Sequence, residues 1–341
     1  MTHRLSYRRY ALEFRVPVRT AHGIWPVREG VLVRLETPGG DVGYGEAAPL
    51  PWAAGETVDA IEAACRRLGE EVDPAMLAAV PAELGCLRLA LQTAGGQLPE
   101  VQATSARPVA ALLPAGRAAL PLLGPKAEAG FRVFKWKVGV GEVQEELGWL
   151  DELCARLPTG GKLRLDANGA WDRRTAERWL DRCAERPVEF VEQPCFAAAS
   201  EGATAQQKVE DMLLGLAGDY PTPVALDESV QSDRDLARWL AAGWPGFYVL
   251  KPGLMGDMTG GLAALRKVGA RVVFSSALET AVGARSALHR AFAWDGEIHA
   301  LGFGVWPLFA EAALNGPTAT PFIRWQDVTA LDPEAAWNAL S

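Results

Sequence analysis

RVFKWKVG, residues 132 to 139, sets two lysines inside an otherwise apolar run. In extended backbone successive side chains point to opposite faces, so Lys135 and Lys137 share one face and Trp136 takes the other. The tryptophan can pack beneath covering helices while both ammonium groups face the inside of a barrel. Two like charges on one face oppose each other's protonation, and this is expected to lower the pKa of at least one lysine enough to make it a usable base. A pair of lysines snorkelling at a strand edge is the plain alternative.

Seven further short apolar runs surround this one: PVAALLP (108–114), KLRLDAN (162–168), VEFVEQP (188–194), PVALDES (223–229), GFYVLKPG (246–253), RVVFSSALE (271–279) and HALGFGVW (299–306). The gaps hold amphipathic helical patterns such as EVQEELGWLDELCARL (142–157) and DRRTAERWLDRCAER (172–186). Eight strands alternating with helices predict a closed parallel (β/α)-barrel, with an open doubly wound sheet as the competing architecture. Ahead of it, residues 3–18 and 30–46 alternate apolar and polar residues around a PGGD turn and read as a three-stranded antiparallel meander. Helical spacing over 56–70 and 83–94 completes a small α+β unit. The expected division is therefore a capping domain over 1–105, a linker from Gly95 to Pro108, and a barrel over 106–314. Residues 315–341 are expected to return to the capping domain.

The chain has 341 residues, 49% of them hydrophobic and 22% charged, enough for a barrel-sized core and a smaller companion. A formal charge of -8 leaves no basic excess for nucleic acid or anionic lipid. No signal-like or membrane-spanning apolar run occurs, which makes the cytoplasm the expected compartment. Five scattered cysteines, none in a C-x-x-C pair, read as buried thiols. Only four histidines are present and none is in an H-x-x-x-H arrangement, so a metal would be held by oxygen, which favours a hard cation such as magnesium.

Polar residues recur where the predicted strands end: Lys135 and Lys137, Asp166 and Asn168, Glu192, Asp227 and Glu228, Lys251, Ser275 and Ser276. In a barrel these positions share one rim, the catalytic face. Singly, Asp166 and Asp227 would pass for helix caps. Together with Glu192 they place three carboxylates on adjacent strand ends, which would repel in a partly desolvated mouth unless a cation neutralised them. Asp166, Glu192 and Asp227 are therefore the expected metal ligands, and Lys251 would approach from the side opposite Lys137.

In this order, KWK, LDAN, VEQP, LDES and LKPG resemble the muconate-lactonizing branch of the enolase superfamily over nearly the whole chain. The resemblance implies magnesium on Asp166, Glu192 and Asp227, with Lys137 and Lys251 as acid/base residues; this use of magnesium and a lysine base is a documented superfamily pattern. Within the branch, SSALETAVG (275–283), LRLDANGAW (163–171) and the compact length resemble the o-succinylbenzoate synthase family. That family dehydrates 2-succinyl-6-hydroxy-2,4-cyclohexadiene-1-carboxylate to o-succinylbenzoate in menaquinone or phylloquinone synthesis. Its mechanism implies that Lys137 takes the proton beside the ring carboxylate and returns it to the departing hydroxyl, while Lys251 stays charged. Lys135, Asn168, Ser275 and Ser276 are expected substrate contacts; ordinary strand-end hydroxyls are the simpler reading of the serines.

Other members of the branch racemise N-acylamino acids, epimerise dipeptides or cycloisomerise muconates. The Asp-x-Asp pair of the dipeptide epimerases is missing from HALGFGVWPLFA, and Val305 stands where the family often has a threonine. RTAHGIW (19–25) and APLPWAAGE (48–56) resemble the superfamily's closing lids, with Gly, Pro and Trp suited to a loop that excludes water. A dinucleotide-binding reading of GVG at 139–141 lacks its third glycine, since Gln144 stands there. A non-catalytic barrel would have no need for five converging charges. The expected partner is a small carboxylate substrate, and the sequence does not fix an oligomeric state.

Overall fold

The computed structural model describes residues 2–20, 23–52, 55–102 and 105–340. The expected lid segments fall partly outside these, at residues 21–22 and 53–54. The N-terminal strands are β1 (His3–Thr20), β2 (Gly23–Glu36), β3 (Val42–Ala47) and the short β4 (Glu71–Val72), in the order β3-β2-β1-β4. Helices α1 (Val58–Leu68), α2 (Pro74–Ala78) and α3 (Gly85–Ala94) cover this sheet. Thr57 caps α1 through its hydroxyl. The start of α3 has no such cap; instead the Glu56 carboxylate accepts from the Cys86 and Leu87 N–H groups at 2.8 and 3.1 Å. Gly43 and Gly45 let α3 lie directly on β3, since a β-carbon at either would stand 2.0 Å from an α3 carbonyl oxygen.

After β5 (Arg107–Pro108) come seven parallel strands in sequential order: β6 (Ala111–Leu113), β7 (Val133–Lys137), β8 (Lys162–Asp166), β9 (Val188–Glu192), β10 (Val224–Leu226), β11 (Phe247–Leu250) and β12 (Arg271–Phe274). The crossover helices are α4 (Leu120–Glu128), α5 (Val143–Arg156), α6 (Arg173–Cys183), α7 (Ala203–Asp219), α8 (Asp233–Ala241), α9 (Met258–Lys267) and α10 (Ala281–Ala293). Trp136 points outward as its alternation predicts and is fully buried, with Trp179 of α6 at 6.3 Å between ring centroids. Inside the ring Phe190, Ala225, Phe247, Val249 and Val273 form a separate apolar plug. Below them Arg164 Nε meets Glu189 Oε2 at 2.6 Å, and His299 Nδ1 lies 3.4 Å from Glu189 Oε1.

The eighth strand expected over 299–306 is reduced to two isolated parallel bridges, Val109 with Leu301 and Ser275 with Gly302. The ring still closes, because Ala110 N–H donates to the Leu301 carbonyl at 2.9 Å and Gly302 N–H to the Phe274 carbonyl at 2.8 Å. Close approach explains the loss of a regular ladder: a β-carbon at Gly302 would meet Ser275 Oγ at 2.4 Å, and one at Gly304 the Ala110 carbonyl oxygen at 2.8 Å. The run 108–114, expected as one strand, divides into β5 and β6.

The last elements are β13 (Phe322–Ile323), which pairs antiparallel with β5, then α11 (Trp325–Thr329) and α12 (Pro333–Asn338). Ala336 and Trp337 of α12 enter the apolar core of the N-terminal unit, where the Arg8 guanidinium lies 4.5 Å from the Trp337 ring. Among the described residues no helix is long and apolar enough to cross a membrane.

Candidate active site

The parallel register brings the rim residues into rows. Lys137 pairs with Asp166 across β7 and β8, Asp166 with Glu192 across β8 and β9, and Glu192 with Ala225, two residues before Asp227. A mouth of about 300 Å³ opens over this row, lined by Lys135, Lys137, Asp166, Asp227, Glu228 and Lys251 from the barrel. Leu50 and Trp52 of the capping domain wall one side, and Ser275 to Leu278 another.

Lys135 lies between two acids, its Nζ 2.8 Å from Asp166 Oδ2 and 2.6 Å from Glu192 Oε1. Burial alone would lower its pKa, but Asp166, Glu192 and Asp227 outweigh that and hold the ammonium above its ordinary value. Lys251 Nζ lies 2.5 and 2.6 Å from the two Asp227 oxygens. Burial opposes its charge as well; Asp227 and Glu228 nonetheless keep it protonated. Lys137 differs from both: burial is the chief cause lowering its pKa, Asp166 and Glu228 offset part of the effect, and Lys135 adds the smallest share. Lys137 is thus the lysine with a depressed pKa, as the face-sharing pair suggested. The cause is corrected, because Lys135 has its charge balanced by acids from β8 and β9.

The three carboxylates reach one rim, yet among the described residues no three acid, histidine or cysteine groups form a closed metal cage. Their donor chemistry fits a hard cation all the same. Burial and the neighbouring Asp166 raise the Glu192 carboxyl well above its usual range, with Asp227 adding to the effect, so these groups sense one another's charge. They are oxygen donors on three adjacent strands, and oxygen-only sets suit magnesium.

Asn168 donates through Nδ2 to Glu228 Oε1 at 3.0 Å, while its own Oδ1 is buried without a hydrogen-bond partner. Ser276 is committed to its loop: its hydroxyl donates to Glu279 at 2.8 Å and accepts from Leu278 N–H at 2.8 Å. Ser275 Oγ reaches across the closing seam to the Gly302 carbonyl at 3.4 Å. Both serines line the mouth.

Two supporting residues received no role from the sequence. Gln193 is fully buried, and its Oε1 accepts from Asp227 N–H and Ser229 N–H at 2.9 and 3.1 Å, while its Nε2 donates to the Cys195 carbonyl and Ser229 Oγ. It therefore ties the end of β9 to the turn that carries Asp227. Glu228 has one buried oxygen without a partner, and burial together with Asp227 and Asp166 pushes its carboxyl up to about 7. Among the described residues the non-glycine positions with positive φ are Asn168 (45°), Gln193 (39°) and Leu278 (61°). All three follow rim strands, where tertiary contacts can hold a backbone conformation that costs energy.

Residues 124–329 match the family of enolase C-terminal domain-like proteins. The o-succinylbenzoate synthase of Thermosynechococcus vestitus is 42% identical over 311 residues, covering 89% of this chain and 92% of that protein. The crystal structure of o-succinylbenzoate synthase from Thermosynechococcus elongatus, complexed with magnesium in the active site, superposes with a TM-score of 0.80 at 38% identity, covering 98% of this chain and 99% of the other. The L-Ala-D/L-Glu epimerase of Bacillus subtilis shares the fold at a TM-score of 0.77 and 22% identity, covering 94% and 95% of the two chains.

Proposed function

We propose, since this chain belongs to the o-succinylbenzoate synthase family of the enolase superfamily, a division of labour among its rim residues. As a hydro-lyase of that family, the chain dehydrates 2-succinyl-6-hydroxy-2,4-cyclohexadiene-1-carboxylate to o-succinylbenzoate. The difficulty of the reaction lies in removing a proton beside a carboxylate, because the product of that step concentrates two negative charges on one carboxyl group. Asp166, Glu192 and Asp227 would hold magnesium, which would supply positive charge to stabilise those two negative charges.

Lys137 is the proton carrier. Its depressed pKa leaves it neutral at a pH where other lysines are charged, so it can accept the proton next to the ring carboxylate. The same ammonium then delivers that proton to the departing hydroxyl, which leaves as water. Lys251 remains protonated beside Asp227 and supports the developing charge from the far side of the mouth. Lys135 screens Asp166 and Glu192 from each other, and Gln193 holds the Asp227 turn in register.

The observation that carries this assignment is the contrast between the lysines: two are held charged by carboxylates within 3 Å and the third is depressed by burial. The succinyl tail would extend from the ring toward Ser275 to Leu278 and the capping-domain wall. A second reading has one observation in its favour. Lys137 on β7 and Lys251, just past the end of β11, stand four strands apart in the ring, an arrangement that could also serve two-base racemisation of an N-acylamino acid. An ultraviolet assay of the purified protein with the cyclohexadiene substrate and magnesium tests the choice. A specificity constant for N-succinylamino acid racemisation well above that for dehydration would reverse it.

A further inference from the structure

The Arg28 side chain, on β2 of the capping domain, is fully buried and forms no ion pair among the described residues. Its guanidinium is satisfied by backbone carbonyls alone. Nη2 donates to Ala48 at 2.5 Å, Nη1 to Pro49 at 2.7 Å and to Glu29 at 3.3 Å, and Nε to Leu278 at 3.2 Å. The Trp25 ring covers it, 5.2 Å from the guanidinium carbon. Ala48 and Pro49 lead directly into Leu50 and Trp52, and Leu278 lies within the barrel loop between β12 and α10. Arg28 therefore stands behind three separate wall pieces of the mouth: Trp25, the 50–52 segment and the 275–278 loop.

That loop is held from the capping domain at its other end as well. Glu46 of β3 accepts from Thr280 N–H at 3.0 Å, from the Thr280 hydroxyl, and from Gly283 N–H at 2.9 Å, which makes a capping-domain carboxylate the anion at the start of barrel helix α10. Leu278, whose carbonyl takes the first of these anchors, has φ 61°, a conformation a leucine adopts only under constraint. A planar fork of donors spans four carbonyls on three chain segments at fixed spacing, and an ammonium, with its compact point charge, does not.

We propose that Arg28 is a positioning residue that sets the gap between the 48–52 wall of the capping domain and the 275–278 loop of the barrel, and thereby governs how tightly the mouth grips the substrate beyond its ring carboxylate. The proposal rests on the reading of this mouth as the dehydration site. It assigns specificity to a residue with no direct contact to substrate, acting through the carbonyls it holds.

Arg28→Lys keeps the charge and loses the fork; Arg28→Ala, with ethylguanidinium added back, separates the fork from the tether. The expected result for Arg28→Lys is an about 10- to 100-fold weaker dissociation constant for o-succinylbenzoate, the scale of one hydrogen bond to a charged group lost in holding the wall. KM should rise more than kcat falls, magnesium affinity should stay within twofold, and ethylguanidinium should partly restore Arg28→Ala. Hydrogen–deuterium exchange should quicken at 48–52 and 276–280 together while β7 to β9 stay protected. Product affinity and exchange unchanged in Arg28→Lys would overturn the proposal. So would loss of magnesium affinity in step with product affinity, or failure of both variants to fold, since either makes Arg28 a general support of the barrel. A wild-type chain that neither dehydrates the cyclohexadiene nor binds o-succinylbenzoate would count against the activity reading instead, and the exchange data alone would then decide the role of Arg28.

Discussion

Lys135 Nζ and Glu192 Oε1 stand 2.6 Å apart, so the ammonium once expected to tune Lys137 has its charge largely spent on an acid of another strand. The charge repulsion between the two lysines is weakened accordingly and becomes the smallest share of the Lys137 shift. What chiefly depresses Lys137 is burial, which penalises the charged form of any ammonium.

A base must be neutral to act, so kcat/KM should rise with pH through the Lys137 pKa, and the ascending limb should lie below the ordinary lysine value of 10.5. Removing a cationic neighbour raises a lysine pKa. Lys135→Met should therefore move that limb upward only slightly, because the neighbour's share is the smallest. A displacement of two or more pH units in the pH–rate profile would restore Lys135 as the main tuning charge. Lys137→Ala should cost at least about 10²-fold in kcat with an unchanged circular dichroism spectrum.

Chelation should abolish turnover, and magnesium should restore it. The cation should also raise the melting temperature, because a ligand at about 100 times its dissociation constant stabilises the native state by roughly 2.7 kcal/mol. Asp166→Asn, Glu192→Gln and Asp227→Asn should each weaken that thermal shift along with activity. A protein with full turnover in excess chelator would contradict the assignment.

Gln193→Leu replaces a fully buried amide of similar size and leaves the Asp227 and Ser229 N–H groups without their acceptor. The expected loss of stability is about 2–4 kcal/mol by urea denaturation, from two buried donors at roughly 1–3 kcal/mol each with partial relaxation. Magnesium affinity should fall too, since Asp227 loses the restraint on its backbone. Stability lost with metal affinity intact would limit Gln193 to the fold.

At the closed end of the barrel, burial would raise the Glu189 carboxyl, but His299 and Arg164 outweigh it and lower it from 4.5 to about 2. A depressed acid contributes stability above its unfolded pKa and loses it as pH falls through the folded value. Glu189→Gln should thus be less stable than the parent at pH 7 by on the order of 3 kcal/mol. The gap should narrow between about pH 4.5 and 2. Paired urea melts at pH 7 and 3 measure it, and a gap that did not change with pH would assign the loss to packing.

The rim was legible because a barrel brings strand ends together whatever their separation in sequence, and five consecutive strands announced themselves by an apolar run ending in a charge. Asp166, Glu192, Asp227 and Lys251 needed no more than that. Gln193, Glu46 and Arg28 were not legible in their roles, since the hydrogen bonds of Glu46 and Arg28 reach residues more than two hundred positions away and those of Gln193 cross to another strand end. No local pattern marks such a partner. The 299–306 run carried the alternation of a strand, but its glycines serve close approach to Ser275 and Ala110 rather than a ladder. The error about Lys137 had the same origin: its in-strand neighbour was visible, and the acids that balance that neighbour were not.

The seam at Leu301 and Gly302 gives the ring a preferred place to breathe. Each neighbouring pair among the seven strands shares two or more paired residues, whereas closure there rests on a single bridge on each side, at Leu301 and at Gly302. Transient opening should begin at that seam, next to Ser275, and would slacken the wall facing the substrate tail before it reached the acids on β8 and β9. A barrel built this way can loosen its grip on one end of a molecule while its grip on the other stays rigid.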